Sequence, residues 1–137
     1  LGAVLEFVRR FPNQQFVIDH LAKPYIKDGF FDGWATMMRA IAQHENVYCK
    51  VSGMVTEADW QSGWQYGDFV PYLDLVSEAF GTNRLMYGSD WPVCLLGGGY
   101  GEVLNITKQY FDKFSKGEKQ AIIEQNGSFF YKTNNQV

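Results

Sequence analysis

Two histidines, His20 and His44, are the chain's only imidazoles, so this chain alone cannot supply a metal site built mainly from imidazoles. His20 closes the run Phe16-Val17-Ile18-Asp19-His20. Just past an apolar run, an imidazole can polarise a carbonyl, accept a proton or bind a metal. Asp90 stands in Gly88-Ser89-Asp90-Trp91-Pro92. Gly88 permits close approach there, Pro92 stiffens the exit, and a carboxylate held among aromatics is a candidate general base. Lys50 lies inside Val47-Tyr48-Cys49-Lys50-Val51-Ser52. A lysine in such a run is costly without a partner, so it is expected to be paired or reactive. Binding a substrate carboxylate or oxyanion is its favoured use, and a Schiff base the rarer one. Ser52 falls on the same face as Lys50 and joins it as a candidate substrate contact. Lys23, before Pro24, reads either as a second anion-binding lysine on the rim or as a solvated one. Trp60, Trp64, Tyr66 and Trp91 read either as walls of a small-molecule pocket or as caps on the core. Gly97-Gly98-Gly99 fits neither dinucleotide nor P-loop spacing and reads as a lid, and there is no Gly-x-Ser-x-Gly elbow.

Three short β-rich runs carry these residues: Gln15–Asp19, Asn46–Ser52 and Arg84–Gly88. Between them lie stretches of helical spacing. One runs from Leu1 to Phe11, one from Asp32 through Ala42, one from Asp68 to a stop at Gly81, and two more follow Gly101 and Lys116. Strand starts are separated by roughly 30 to 40 residues, the length of a βα unit. Such alternation predicts a parallel sheet with right-handed crossovers. Strand alternation places Val47, Cys49 and Val51 under the helices and Tyr48, Lys50 and Ser52 on the other face. Extended through the strand ends, the same rule groups His20 with Phe16 and Ile18, and Asp90 with Met86 and Gly88. Asp19 is left on the opposite face, where it is expected to bond loop or helix amides. Long polar, aromatic loops after each strand fit an α/β barrel, whose site is built there. A closed barrel takes about eight units and about 250 residues, so the three strands of residues 1–137 read as about half of a barrel, or as a small open α/β sheet.

Composition narrows the alternatives. Hydrophobic residues make up 46% of the 137 and charged residues 20%, an ordinary globular balance. Twelve basic residues against fifteen acidic ones give a net charge of -3, which argues against nucleic acid as a partner. No apolar run reaches the ~18 residues of a membrane span, so no membrane partner is expected. Two cysteines, Cys49 and Cys94, in apolar stretches read as reduced thiols of a cytoplasmic protein.

Taken jointly, the motifs resemble a known family. Phe16-Val17-Ile18-Asp19-His20-Leu21-Ala22-Lys23-Pro24 resembles the sixth-strand motif of the amidohydrolase-related TIM-barrel hydrolases. Asn46-Val47-Tyr48-Cys49-Lys50-Val51-Ser52-Gly53 resembles the seventh, and Arg84-Leu85-Met86-Tyr87-Gly88-Ser89-Asp90-Trp91-Pro92 the eighth. Glu124-Gln125-Asn126-Gly127-Ser128-Phe129-Phe130-Tyr131 is similar to the family's closing helix, with Gly127 in place of Ala. The lactonase branch is the nearest in look. The resemblance implies that His20 is the sixth-strand histidine and Asp90 the eighth-strand aspartate, which in the family ligates metal, activates water, or both. It implies a divalent, zinc-like metal as a possible cofactor held in part by Asp90 and His20, although some lactonase relatives work without one. The family's first-strand His-x-His pair and fifth-strand histidine are absent from this chain, so the resemblance implies that residues 1–137 are a partial domain, the C-terminal half (about three βα units) of a (β/α)8 TIM barrel.

The expected function is hydrolysis of a small lactone or related ester or amide, with Asp90 and His20 catalytic. Lys23, Lys50, Ser52, Trp60 and Trp91 would bind the substrate. The expected partner, besides a small molecule, is the N-terminal half of the barrel or a second copy of the chain. The alternatives are a Schiff-base aldolase using Lys50, or a barrel fragment without activity of its own.

Overall fold

Val4, Leu5 and Val8 form one apolar stripe, and they shape helix α1 (Gly2–Arg10), on which Val8 is buried. The computed structural model describes residues 1–133. After α1 come β1 (Phe16–Ile18), α2 (Asp32–Ala42), β2 (Val47–Val51), α3 (Val70–Phe80), β3 (Leu85–Tyr87) and α4 (Tyr100–Phe111). Then α5 (Lys116–Gln120) runs through a π turn at Ala121–Gln125 into α6 (Asn126–Phe130). Ser115 caps α5 by accepting from the Glu118 amide while Glu118 accepts from the Ser115 amide.

The three strands form one parallel sheet in the order β1-β2-β3, with Ile18 beside Cys49 and Cys49 beside Leu85. Sequential order keeps every crossover on the same side, so α2 and α3 cover one face of the sheet. That is the winding of a barrel wall, whereas a doubly wound sheet reverses direction at a switch point. On β2 the alternation holds: Val47, Cys49 and Val51 are fully buried on the helix side, with Met38, Ile41, Leu73 and Val76 in the same core. Each such side chain contributes roughly 1.5–3 kcal/mol by leaving water.

Tyr48, Lys50 and Met86 occupy the other face. Phe130 of α6 and the following Tyr131 pack there, with the Phe130 ring 5.1 Å from Tyr48 and Lys50 Nζ 5.4 Å from the centre of the Tyr131 ring. Asn126 Nδ2 ties this segment to β3 by donating to the carbonyls of Thr82 and Leu85, at 2.8 and 2.7 Å. The Gly97–Gly99 run is a close contact rather than a free lid. A Cβ on Gly97 would fall 2.6 Å from the Val55 carbonyl oxygen, and Trp64 Nε1 donates to the Gly97 carbonyl at 2.6 Å. Trp64 is thereby a core cap.

Candidate active site

β1 ends at Ile18, and the chain then leaves extended geometry. His20, Leu21, Ala22 and Lys23 are all left-handed, with φ of 50, 51, 57 and 51°. For residues with a Cβ this costs of order 1–2 kcal/mol each, so tertiary contacts must hold the turn. Leu21 supplies one by full burial, and Trp34 Nε1 of α2 supplies another by donating to the Leu21 carbonyl at 2.7 Å. The grouping of His20 with Phe16 and Ile18 by alternation therefore fails, because the rule applies only while the backbone stays extended. Asp90 escapes its grouping with Met86 for the same reason: β3 stops at Tyr87 and Asp90 has φ of 57°.

These two departures bring the candidate residues together. His20 Nε2 lies 3.7 Å from Asp90 Oδ1 and 3.8 Å from Asp19 Oδ2. On the other side of the ring, His20 Nδ1 is 2.8 Å from Ser52 Oγ. The Asp90 side chain is 13% exposed. His20 and Asp90 both line a cavity of about 390 Å³ with Lys23, Gly53, Thr56, Glu57, Trp60, Val93 and Leu96. Lys50, Ser52 and Trp91 do not line it. Ser52 is buried against the histidine, and Trp91 is 63% exposed, beyond the wall it was expected to form.

Lys50 is paired, and its partner is Asp19, at 2.7 Å between Nζ and Oδ1. This overturns the reading of Asp19 as a residue bonding loop or helix amides from the opposite face. Ile18 pairs with Cys49, so the next residues on both strands, Asp19 and Lys50, are neighbours on the inner side. Burial pulls the Lys50 pKa down, but the hydrogen bonds and charges of Asp19 and Tyr131 outweigh it and hold the ammonium above its ordinary value. A charged amine outside the cavity is ill suited to Schiff-base chemistry. Cys49 is no nucleophile either: burial, then the Asp19 charge, push its thiol far upward.

Two contributors, Glu57 and Gly53, went unread as site residues in the sequence, and a third, Asp19, was placed on the wrong face. Glu57 accepts a short contact from Lys23 at the cavity rim, so this lysine is not a free anion binder. Gly53 has φ of +65°, and a Cβ there would fall 2.8 Å from His20 Cβ and 2.9 Å from Nδ1. Asp19 could have been found from Lys50, which needed an acid on the next strand. Glu57, a lone loop carboxylate, gives no such signal. Gly88 makes room for Lys50 and Ser52, since a Cβ there would meet Lys50 Cδ at 3.0 Å and Ser52 Cβ at 3.1 Å.

The Gly53 contact yields a direct expectation. Gly53→Ala forces the His20 ring aside, and displacements of about 1 Å in a site can cost roughly 100-fold in rate. The strained φ adds about 1 kcal/mol of destabilisation. Steady-state kinetics and thermal melting of the complete protein test this, and a variant with unchanged kcat would show that the ring tolerates the methyl.

A sheet wound in one direction, with a histidine and an aspartate meeting beyond the carboxyl ends of its strands, defines one side of a (β/α)8 barrel. The amidohydrolase family model matches residues 1–132, and the chain belongs to that family. The L-fucono-1,5-lactonase of Burkholderia ambifaria is 39% identical, aligned over 96% of this chain and 46% of its own length. A crystal structure of an amidohydrolase from Burkholderia multivorans with bound Zn superposes with a TM-score of 0.86 at 36% identity, covering 94% of this chain and 48% of that one. A second crystal form, with bound HEPES, gives 0.87 at the same identity. The chain thus spans about half the length of the curated relatives it matches, and it forms the C-terminal half of the barrel as three βα units.

A metal needs more donors than this half provides. His20 and Asp90 face each other closely enough to share an ion, but zinc takes about four ligands, about three of them from protein even in open sites. Among the described residues no group of three or more His, Cys, Asp or Glu is placed to hold one.

Proposed function

We propose that this chain carries the general base and the imidazole donor of a hydrolase acting on sugar-derived lactones. One observation carries the reading: Asp90 Oδ1 and His20 Nε2 face each other across 3.7 Å at a cavity walled by Trp60. The names of the similar proteins supply the substrate class. Asp90 takes a proton from a water whose oxygen adds to the lactone carbonyl carbon. His20 Nε2–H donates a hydrogen bond to the oxygen that becomes negative. The ring C–O bond then breaks, and the departing alkoxide takes the proton back from Asp90. Trp60 offers a flat apolar wall, and Glu57 and Lys23 offer polar groups for hydroxyls at the rim.

The same reading makes the rest of a barrel this chain's partner. The outer edge of β1 has no neighbouring strand among the described residues, and Leu1, Val4, Phe7 and Phe16 line an apolar hollow of about 550 Å³ beside it. A second barrel half covering that edge removes the association hazard of an open strand. A cytoplasmic setting is favoured by the two free, buried cysteines, Cys49 and Cys94. No helix of the described residues is long and apolar enough to cross a membrane.

The test is acid release from L-fucono-1,5-lactone and other aldonolactones by the complete protein, with and without chelator. Hydrolysis well above the spontaneous rate is expected. A folded complete protein that accelerates none of these lactones refutes the reading, and the chelator arm reports whether the other barrel half brings a metal.

A further inference from the structure

We propose that Ser52 is a positioning residue that fixes the tautomer of His20, keeping the ring proton on Nε2. One buried hydroxyl decides the direction of the hydrogen bond. Ser52 is 1% exposed, and among the described residues its Oγ has one partner, His20 Nδ1, at 2.8 Å. If Nδ1 carried the proton and donated, the Ser52 hydroxyl hydrogen would be left buried without an acceptor, which is unfavourable. If Ser52 donates, both groups are satisfied and the neutral imidazole must hold its proton on Nε2.

The far side of the ring agrees. Nε2 faces two carboxylates, Asp90 Oδ1 at 3.7 Å and Asp19 Oδ2 at 3.8 Å, and both attract an N–H rather than a lone pair. Lys50 is bound to the other oxygen of Asp19, Oδ1, and leaves Oδ2 turned to the ring. Gly53 packs where a Cβ would press on Cβ, Cγ and Nδ1 of His20, so the ring edge bearing Nδ1 stays against the Ser52–Gly53 backbone.

Two consequences follow. In this tautomer His20 enters the site as a hydrogen-bond donor beside Asp90, the role the lactonase reading requires of it. It also offers no lone pair at Nε2, so zinc ligation there requires the proton to move to Nδ1 and Ser52 to turn from donor to acceptor. The catalytic consequence rests on the lactonase reading; the tautomer does not.

Long-range proton–nitrogen NMR correlation of the complete protein, with the His20 signals assigned through His20→Asn, reads the tautomer without any substrate. The expected spectrum has Nε2 protonated and Nδ1 bare. Ser52→Ala should lose that preference and at least roughly tenfold in kcat, since a misplaced imidazole proton is costly in sites of this kind. Ser52→Thr, which keeps the hydroxyl, should recover both. A proton on Nδ1 in the wild type overturns the proposal, as does an unchanged Nε2–H tautomer in Ser52→Ala. Should Ser52→Ala not fold, the wild-type and Ser52→Thr spectra decide it. An Nε2–H spectrum in a protein that hydrolyses no lactone supports Ser52's role and removes only the lactonase reading.

Discussion

Asp90→Asn should lower kcat by roughly 100- to 10,000-fold, the range for removing a general base, and leave the fold intact. Asparagine is the informative replacement for a backbone reason. Asp90 sits at φ of 57°, a conformation asparagine shares with aspartate at little cost and alanine does not. The amide fills the same volume beside His20, so the packing of Val93, Leu96 and Trp60 around the cavity is kept. What is lost is the basic oxygen 3.7 Å from Nε2. On the lactonase reading the substrate is held by the walls and the rim, so KM should change little while kcat collapses, the pattern of an interaction made chiefly in the transition state. Matched circular dichroism with wild-type turnover in the variant would remove Asp90 from the chemistry.

The strands and their winding were legible because hydrophobic periodicity and turn residues agree over long stretches. Alternating burial on Val47–Val51 was readable from the residues alone, and Gly81 stops α3 at φ of 68° as its position suggested. The candidate site was legible in two residues that the structure brings together, and not in its geometry. His20 and Asp90 stand out by type and place, yet alternation could not position them. Both lie beyond strand ends in left-handed backbone, which no periodic pattern announces for residues bearing a Cβ. The error on Asp19 has the same root. Once the chain turns after Ile18, His20 no longer alternates with Asp19, and Asp19 is free to face Lys50. Ser52 was named for the right neighbourhood and the wrong contact: its face was readable, but not that His20 folds back over it.

The strain in that turn explains the division of labour along the chain. Four successive left-handed residues and Asp90 place unfavourable backbone at one end of the sheet, where His20 and Asp90 meet. Stability must come from elsewhere, and the opposite end supplies it. Arg84, just before β3, donates from Nε to the Phe80 carbonyl at 3.1 Å and from Nη1 to His44 and Val47 at 2.9 and 3.1 Å. Its Nη2 reaches Ala42 and Ala79 at 3.0 and 3.4 Å. Four of these five carbonyls belong to the carboxyl ends of α2 and α3 or the turn just beyond α2, where backbone acceptors lack helical partners and the helix dipole favours a cation.

Replacing Arg84 should therefore cost stability and not chemistry. Arg84→Met keeps much of the aliphatic volume but removes every donor, leaving the five carbonyls to recruit water at a partly buried junction. A loss of about 3 kcal/mol is expected, since each orphaned acceptor costs about 1 kcal/mol or more and some become rehydrated. Arg84→Lys should recover only a minor part, because a single ammonium cannot span acceptors from both helices as the planar guanidinium does. Burial lowers the Arg84 pKa, yet an arginine stays charged throughout the accessible range, so the stabilisation should be flat with pH through neutrality. Urea unfolding of the complete protein gives the loss, and kcat measured well below the transition should stay within about twofold of wild type, as for a site at the far strand ends. An unchanged urea midpoint in Arg84→Met would mean that the helix ends are held by packing alone. A large kcat loss in a fully folded sample would mean that the two ends of the sheet are coupled.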